Sequence, residues 1–591
     1  MGYTLSLIKS INFLVLMNEF DTGRLLNMRM PNLNNKMKKT ILGWHNINWL
    51  DAYNKASAIQ QGIVKAVLSN DMKTVYQLQR QLVVSYEARV LAIRKVVTNH
   101  GSKTAGVDHQ IWSTPESRIN AIAELGKITK NPTSYIASPV KRVFIPKPGS
   151  NEKRPLGIPT MMDRAVQAVY HMAVDPAIEC KSDLNSYGFR KYRSTHDAIT
   201  TLRSLMDKAV SPQWVFETDI SKCFDKIDHQ FLMKHTPICD KTVLEQWLKS
   251  GIKIGSSYED VVEGTPQGGI ISPMLCNVAL NGIESYVLEK FDRTKVDKET
   301  GLRPKINVIR YADDLVITGV SEELLQKVRP VLEEFLNPRG LALKEAKTRI
   351  VNIHEGLDFL GFHIQRHIID PKINKANLRQ ASVLVIQPTR KAIDRLQDKT
   401  KKLISKERPL ESIIRDLNPV LRGWSEYYRI SYHSKEVFIT LGHDVWKKMW
   451  AWARKKHISK TAKEITRKYL IPGKGHKWTW GKSLTETLFN LAEVTTWVMR
   501  PLKLDRNPYL LEHKNYFEKR REIKVAAKFR AAIYKKYAHT CPVCGQSLHN
   551  GEPIELHHVQ PVKKGGKYTL ENIQPLHRIC HQKVTHSKKL S

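Results

Sequence analysis

The middle of the chain alternates short apolar runs with polar turns, and this pattern predicts β-strands. Val308-Ile309 and Leu315-Val316-Ile317 flank the tetrapeptide Tyr311-Ala312-Asp313-Asp314. That arrangement predicts a β-hairpin with two adjacent carboxylates at its turn. Residues 215–220 predict another strand, and it ends in the acid Asp219. Two strand ends therefore bring acids to a region that is otherwise apolar.

Two more short strands are predicted upstream, over residues 141–147 and 153–159, with a turn at Pro148-Gly149-Ser150-Asn151 between them. Each strand carries a cation, Lys147 on the first and Arg154 on the second. Arginine offers a planar fork of donors and lysine a point charge, and both suit phosphate oxygens. The pair predicts a hairpin that closes over a nucleotide triphosphate.

From Pro388 to about residue 510 the apolar spacing becomes helical. Lys391–Leu403 places Ala392 and Leu396 on one face with charges at intervening positions. His443–Lys456 is a second such stretch, with tryptophans among basic residues. Tryptophans at helical spacing are assigned to the core rather than to base stacking, whereas the basic side chains are expected to be exposed. The residues concerned are Trp446, Trp450 and Trp452, and Lys447, Lys448, Arg454, Lys455 and Lys456.

The chain has 591 residues, so several domains are expected rather than one hydrophobic core. Its 95 Lys and Arg against 57 Asp and Glu give a net charge of +38, which indicates a polyanionic partner. Charge alone does not separate nucleic acid from an anionic membrane. The sequence has no apolar run of about 18 residues, so a bilayer-spanning helix is excluded. The first 45 residues show neither a secretory signal nor a clear presequence.

Asp219, Asp313 and Asp314 are the candidate catalytic acids and ligands of Mg²⁺, with Mn²⁺ as an alternative. Hard carboxylate oxygens suit a hard cation. Two cations on such a triad activate a primer 3′-hydroxyl and stabilise the leaving pyrophosphate in nucleotidyl transfer. An isolated Asp-Asp pair is more often a solvated turn. A glycine-rich segment, Gly264–Pro273, lies between the first acid and the pair, and this order is that of reverse transcriptases.

In combination these motifs resemble a group II intron-encoded protein, a maturase with reverse transcriptase activity, over nearly the whole chain. Asn99–Asp108 resembles the extra N-terminal block of that family, and Asp219–His229 resembles its first catalytic block. Phe359–Phe362 resembles the primer grip, and Leu417–Tyr428 resembles the maturase thumb block. Every palm block is intact. A relative that only assists splicing is expected to have lost one of the acids, so working polymerase chemistry is favoured.

The resemblance implies a multidomain α+β fold with a right-hand-like polymerase. Its fingers and palm, α/β with an antiparallel palm hairpin, are expected over residues 46–385. An α-helical thumb, the maturase domain X, is expected over 386–505 and a basic DNA-binding segment over 506–540. A small zinc-bound ββα-metal HNH domain is expected over 541–591, and the 1–45 leader has no assigned role. The basic run before residue 541 is alternatively a solvated face.

The resemblance also implies residue roles. Phe224 occupies the gate that excludes or admits the sugar 2′-hydroxyl, and Gln267 and Gly268 fall where the family contacts the incoming nucleotide and template. Lys347 follows the next palm block and joins Lys147 and Arg154 as an expected nucleotide-binding residue. The expected RNA-binding residues of the thumb are Arg422, Lys447, Lys448, Arg454, Lys455 and Lys456.

The last segment crowds cysteines and histidines. Cys541-x-x-Cys544 and His577-x-x-Cys580 form two ligand pairs at zinc spacing, which predicts a closed structural site in a segment too small to fold alone. With His557-His558, Asn572 and His581, the segment resembles an HNH endonuclease. That resemblance implies His557 and His581 as ligands of a catalytic metal, His558 as general base and Asn572 as the residue that orients the loop. The family more often has cysteine at position 577, and a purely structural zinc knuckle is the alternative.

The expected partners are group II intron RNA in a ribonucleoprotein, a double-stranded DNA target and dNTPs, with no membrane and an open oligomeric state. Seven cysteines, with a Cys-x-x-Cys near histidines, favour metal over disulfides and a reducing intracellular address, either a bacterial cytoplasm or an organelle. Two function classes remain open. One is a polymerase and nuclease on one chain, and the other is an RNA-binding splicing factor with vestigial catalysis. A retron-type or free-standing reverse transcriptase is a third interpretation.

Overall fold

The computed structural model describes residues 43–146, 152–208, 210–292, 295–296, 301, 303–369, 382–405, 407–473, 476–483, 486–522, 528–548, 550, 552–561 and 569–587. Lys147, a predicted nucleotide-binding residue, lies outside the described residues, as does most of the 1–45 leader. Among the described helices, none combines the length and apolar character that crossing a bilayer requires.

Four helices at the N-terminal end pack with a long fifth helix. Side-chain oxygens of Asn48, Asp71, Ser85 and Thr114 accept hydrogen bonds from the first-turn amides of the four, so each helix begins at a polar cap. The fifth helix is buried along most of its length. The five helices are α1 (Trp49–Leu68), α2 (Met72–Val84), α3 (Tyr86–Thr98), α4 (Pro115–Lys130) and, after a strand pair, α5 (Met161–Lys181).

The strand pair before α5 is the predicted basic hairpin, formed by β1 (Val140–Pro146) and β2 (Lys153–Ile158). The two strands are antiparallel, with Ile145 opposite Arg154. Two short strands from later in the chain, β4 (Ile252–Ile254) and β5 (Ser257–Glu259), extend this sheet in the order β2-β1-β4-β5. Both predicted strands are confirmed to within one residue at each end. The predicted turn, residues 148–151, lies outside the described residues.

The second four-stranded sheet has the order β6-β7-β3-β8, and all its pairs are antiparallel. Its strands follow α6 and are interspersed with helices. The elements in chain order are α6 (Thr195–Met206), β3 (Trp214–Asp219), α7 (Cys223–Lys226), α8 (His229–His235), α9 (Lys241–Leu248), β4 (Ile252–Ile254), β5 (Ser257–Glu259), α10 (Ser272–Leu280), α11 (Ile283–Lys290), β6 (Asn307–Tyr311), β7 (Asp314–Gly319), α12 (Glu322–Leu336) and β8 (Arg349–Asn352).

This sheet is buried on both faces, and successive residues of one strand enter different cores. Phe216 and Ile317 pack with the N-terminal helices and α10, whereas their neighbours Val215 and Val316 pack with the helices of the C-terminal half. Side chains alternate between the faces of a strand, so burial on both faces requires a continuous apolar run. That requirement explains why the sequence shows unbroken apolar runs here rather than alternation.

The C-terminal half begins with a three-stranded sheet and continues as helices. Its strands are β9 (Leu357–Phe359), β10 (Phe362–Ile368) and β11 (Ser382–Pro388), and its helices are α13 (Arg390–Leu403), α14 (Leu410–Tyr428), α15 (Ser434–Lys456) and α16 (Ala462–Tyr469). The helical prediction is wrong after residue 469. The chain there forms the hairpin β12 (Leu470–Gly473) and β13 (His476–Trp480). Trp480 is buried and contacts Trp446, Trp450 and Trp452, so the tryptophans pack as predicted.

The last elements are two basic helices and a small ββα unit. The described parts are α17 (Lys514–Glu522), α18 (Lys528–Lys536), β14 (Ile554–His558), β15 (Ile573–His577) and α19 (Arg578–Ser587). The strands β14 and β15 are antiparallel, with His558 opposite Ile573. The buried residues of this unit belong to the same core as the N-terminal helices.

Candidate functional site

The sheet register brings the three predicted acids together. Asp219, the last residue of β3, lies directly opposite Asp314, the first residue of β7. The two-residue turn that joins β6 to β7 consists of Ala312 and Asp313, so Asp313 lies directly before Asp314. Ala312, the first turn residue, has a φ of 57°, a left-handed conformation that favours glycine. A tight turn with a strained first residue therefore presents two of the acids to the third.

Surrounding groups hold this turn in place. Arg310 is 1% exposed, and its guanidinium donates to the Ala312 carbonyl oxygen at 3.3 Å, to Asn277 Oδ1 at 3.1 Å and to Asn281 Oδ1 at 3.0 Å. Gly188 lies against the turn so closely that a Cβ there would sit 2.3 Å from the Ala312 nitrogen. Sequence reasoning missed both residues. The available signal was an arginine inside an otherwise apolar strand.

Burial and mutual repulsion perturb two of the acids. Burial raises the pKa of Asp314 to about 6, with Asp313 and Asp219 as further causes. Burial, followed by the charge of Asp219, also raises the pKa of Asp313. Lys347 donates to Asp219 Oδ2 at 2.7 Å, whereas Asp219 Oδ1 is buried and has no hydrogen-bond partner among the described residues. Clustered carboxylates and one unpaired oxygen fit a site for divalent cations.

We expect the stabilisation of the protein by Mg²⁺ to depend on pH through Asp314. Its carboxyl has a pKa of about 6 in the folded chain against an ordinary value of 3.8, so without cation the free energy of unfolding falls as pH rises through this window. A bound cation requires the ionised form and offsets that loss. The rise in Tm on adding Mg²⁺ should be small near about pH 5 and full above about pH 7.

Thermal melts with and without Mg²⁺ at the two pH values measure this difference. Asp314→Asn should show an equally small Mg²⁺ effect at both, because an amide does not titrate there. An equal Mg²⁺ effect on wild-type Tm at both pH values would contradict the prediction.

The predicted nucleotide-binding residues lie on different elements, among them α7, β2 and the loop that follows β5. Phe224, in α7, packs its ring edge-on to Phe189 with the centroids 6.0 Å apart. Gln267 donates from Nε2 to both carboxylate oxygens of Asp225 at 3.2 Å. Arg154 is exposed on β2. The loop that contains Gln267 therefore connects to the residue directly after Phe224.

Gly268 links the same loop to the basic hairpin. Its φ is 116°, and a Cβ there would meet the Gly157 carbonyl oxygen at 2.7 Å. The Gly157 amide in turn donates to the Gln267 carbonyl oxygen at 2.6 Å. At Gly268 the backbone of the loop therefore closely approaches the backbone of the hairpin. Lys347, also predicted to bind nucleotide, makes its closest described contact with Asp219.

The four predicted zinc ligands form one cluster. One ligand atom from each of Cys541, Cys544, His577 and Cys580 lies within 4.8 Å of the others, and all four residues are buried. His577 Nε2 lies 3.1 Å from the Ser547 carbonyl oxygen, which places the proton on Nε2. Nδ1, 3.3 Å from Cys544 Sγ, is then left for a metal. This Cys₃His donor set fits zinc.

The histidines of the HNH motif lie beside this cluster. The rings of His557 and His581 have centroids 4.9 Å apart, and His581 Nδ1 is 2.6 Å from Glu555 Oε2. Asn572 exchanges two hydrogen bonds with the Gln560 backbone: its Oδ1 accepts from the amide at 2.8 Å and its Nδ2 donates to the carbonyl at 3.1 Å. His558 ends β14 immediately before this loop. The arrangement can bind a cation through the imidazoles of His557 and His581.

The basic residues of the thumb divide into two groups. Lys448 donates to Asp444, and Lys456 donates to the Arg408 carbonyl oxygen at 2.9 Å. Both side chains are half-buried, so the prediction that they are exposed is wrong. Arg422 is exposed with its guanidinium 5.3 Å from the Phe489 ring centroid. Three further cations on α15 are also exposed as predicted: Lys447, Arg454 and Lys455.

Four family models match the chain in succession. The model for the N-terminal domain of reverse transcriptase matches residues 44–125, and that for reverse transcriptase (RNA-dependent DNA polymerase) matches 145–364. The maturase-specific domain of group II introns follows at 393–470, and HNH endonuclease follows at 541–587. The chain belongs to the group II intron-encoded proteins. The predicted acids fall in the polymerase match, and the Cys₃His cluster falls in the HNH match.

Relatives of this group II intron-encoded protein include proteins of bacteria and fungi. It is 34% identical to Protein YkfC of Escherichia coli over 319 residues, 48% of this chain and 82% of YkfC. It is 28% identical to Group II intron-encoded protein LtrA of Lactococcus lactis over 332 residues, and the match spans only about half of each, 46% of this chain and 54% of LtrA. An uncharacterized 91 kDa protein in the cob intron of Schizosaccharomyces pombe is 24% identical over 87% of this chain and 70% of its own length.

Among solved structures, a telomerase from Candida albicans in complex with a fragment of telomeric RNA aligns with this intron-encoded protein at a TM-score of 0.32. The identity is 13%, and the alignment covers 55% of this chain and 60% of the telomerase chain.

Proposed function

We propose that this protein copies intron RNA into DNA by target-primed reverse transcription, assists the splicing of that RNA, and nicks the DNA target to supply the primer. The observation that carries the proposal is the assembly of two separate sets of catalytic groups on one chain. Asp219, Asp313 and Asp314 converge at one turn, and the rings of His557 and His581 converge in the ββα unit.

In the polymerase, the acid triad supplies the negative charge for divalent cations. When bound, such cations activate the primer 3′-hydroxyl and stabilise the leaving pyrophosphate. The chain's own part is to hold the carboxylates in register, and the Lys347 ammonium limits their repulsion through Asp219. Phe224 would lie under the sugar, with Gln267 and Gly268 against base and template, and Arg154 and Lys147 over the phosphates.

In the endonuclease, His558 would act as the general base that removes a proton from water. His557 and His581 would hold a cation near the scissile phosphate, and Asn572 would fix the loop through its two hydrogen bonds with Gln560. The Cys₃His cluster would bind zinc as a structural ion. Zinc there closes a small unit whose own core is limited.

RNA and DNA binding rest on charge. Exposed cations of the thumb, among them Arg422, Lys447, Arg454 and Lys455, would contact the RNA backbone, which positions RNA without reading its sequence. Lys448 and Lys456 are held by protein groups, so they would contribute through the shape of the surface. The helices of residues 506–540 would contact DNA phosphates, and this contact should weaken steeply with salt. The boundaries 46–385, 386–505, 506–540 and 541–591 are the proposed domain limits.

The test uses the ribonucleoprotein purified from its native host. The RNA that remains bound after ultraviolet crosslinking and a high-salt wash is sequenced first, and the ribonucleoprotein is then assayed on DNA. One dominant intron RNA is expected, and incubation with end-labelled duplex DNA carrying the spliced-exon junction should give a nick in one strand, extended when dNTPs are added. A nick without extension would leave only the nuclease. One intron RNA without nicking or copying would support the splicing factor with vestigial catalysis, and a broad spread of cellular RNA would support a free-standing reverse transcriptase.

A further inference from the structure

Arg94, on α3 of the N-terminal helices, makes its polar contacts with the C-terminal Cys/His cluster. The residue is 1% exposed, and its Nη2 lies 3.3 Å from Cys580 Sγ and 3.5 Å from Cys544 Sγ. Its Nε and Nη2 also donate to the carboxylate of Glu552, with Nε 3.0 Å from Oε1. One guanidinium therefore bonds to two candidate zinc thiolates and to an acid beside them, more than 400 residues away in the chain.

The surroundings show that a surface, rather than one side chain, is in contact. The Trp49 ring lies 4.9 Å from the Arg94 guanidinium carbon. Gly545, directly after Cys544, has a φ of 65°, and a Cβ there would lie 2.4 Å from Leu50 Cδ1. From α19, Lys583 donates to the Ile47 carbonyl oxygen at 2.7 Å. We call this contact, between residues 44–50 with α3 and the Cys/His cluster, the knuckle interface.

Charge balance connects the knuckle interface to zinc. A zinc ion with three thiolates and a neutral imidazole carries a net charge of about −1, and Glu552 adds another negative charge. Both are buried against Arg94, so the guanidinium neutralises part of a charge that would otherwise be costly to bury. N–H···S bonds to bound thiolates also stabilise their coordination. Without zinc, no ion holds the two sulfurs against the guanidinium, and the ion pair with Glu552 is the attraction that remains.

We propose that Arg94 is a positioning residue that couples zinc binding by the Cys/His cluster to docking of the endonuclease segment on the N-terminal helices of the polymerase. Zinc then does more than fold the small ββα unit. It completes the surface through which the nuclease is fixed to the polymerase, so loss of the ion releases the nuclease segment from the N-terminal helices. The proposal depends on zinc binding and on the knuckle interface, and not on nuclease or polymerase activity.

The first arm of the experiment compares full-length wild type with Arg94→Met, which keeps an unbranched apolar stem but removes the charge and the donors. Arg89→Met is the matched control, since Arg89 lies on the same helix and donates to the Ser85 carbonyl oxygen instead. Cys541→Ser shows how fast zinc transfer and hydrogen exchange become when one candidate ligand is lost. The readouts are the rate of zinc transfer to a chromogenic chelator, and amide hydrogen exchange of residues 44–50 and 541–587.

For Arg94→Met we expect zinc transfer to be faster by about tenfold or more, with faster exchange in both segments, and wild-type values for Arg89→Met. Zinc transfer and exchange that match wild type would overturn the proposal. Faster zinc transfer with unchanged exchange at residues 44–50 would also overturn it, because Arg94 would then support only the metal. If Arg94→Met fails to fold, Glu552→Gln weakens the same ion pair by removing the charge of the other partner. It should likewise give faster zinc transfer and faster hydrogen exchange in both segments.

The second arm removes zinc from the wild type. Chelation should raise exchange at residues 44–50, a segment that contributes no ligand, and re-addition of zinc should restore protection. Unchanged exchange there after complete zinc removal would reject the coupling. Primer extension on an annealed RNA template reports the polymerase separately, so failure of this proposal and failure of the proposed function remain distinguishable.

Discussion

Asp313→Ala should reduce primer extension on an RNA template by about a thousandfold or more while leaving RNA affinity nearly unchanged. The reason is the position of Asp313 in the β6–β7 turn, next to Asp314 and facing Asp219. Loss of one carboxylate from such a set removes a ligand for the cations that stabilise charge in the transition state. In the proposed function, RNA affinity comes from exposed cations elsewhere in the chain, and the substitution leaves these unchanged.

Extension of a labelled primer annealed to RNA, together with filter binding of intron RNA, measures the two effects separately. Glu334→Gln is the matched control. It removes an exposed acid on α12 that pairs with Lys290, so its extension rate should match that of wild type. Extension by Asp313→Ala at the wild-type rate would contradict the role of the triad, and a parallel loss of RNA binding would indicate misfolding instead.

His558→Ala is expected to lower target-strand nicking by about a hundredfold or more, without effect on primer extension from an annealed primer. His558 ends β14 directly after His557, whose ring packs with that of His581. In the proposed function, His558 accepts a proton from the attacking water. Extension from an annealed primer bypasses the nick, so it isolates the polymerase. A nicking assay on end-labelled duplex DNA gives the nuclease rate.

Zinc content should stay at the wild-type level in His558→Ala, because the four cluster ligands are Cys541, Cys544, His577 and Cys580. His235→Ala removes an exposed histidine on α8 and serves as the control for nicking. Undiminished nicking by His558→Ala with normal zinc content would leave the cluster as a structural knuckle only.

The strands and the acids were predictable because their signals are local. Apolar runs bounded by polar turns placed β6, β7 and β3 within about two residues of their observed ends, and the Tyr-Ala-Asp-Asp order placed the turn. The supports of that turn were not predictable. Arg310 reaches Asn277 and Asn281, which lie about 30 residues away in sequence and have no pattern that links them.

Two errors in the C-terminal half have identifiable causes. The helical prediction fails over β12 and β13 because Pro472, Gly473 and Gly475, which are strong turn signals, interrupt the sequence there. The prediction of an exposed Lys448 fails because this residue stands four residues after Asp444 on a helix, the spacing at which an ion pair forms. The contact between Arg94 and the cluster has no sequence signal at all, because only the fold brings the two together.

The two-faced burial of the β6-β7-β3-β8 sheet has a consequence for how this protein can be shortened. Val215, Ile309 and Val316 share one core with Leu417 and Phe438 of the helices that follow. Cutting the chain after β8 would therefore expose a full apolar face of the strands that carry the acids. A minimal polymerase cannot be obtained by trimming at a motif boundary. In this lineage, a copy that loses its role in splicing would still have to keep the helices of residues 410–456 as scaffold.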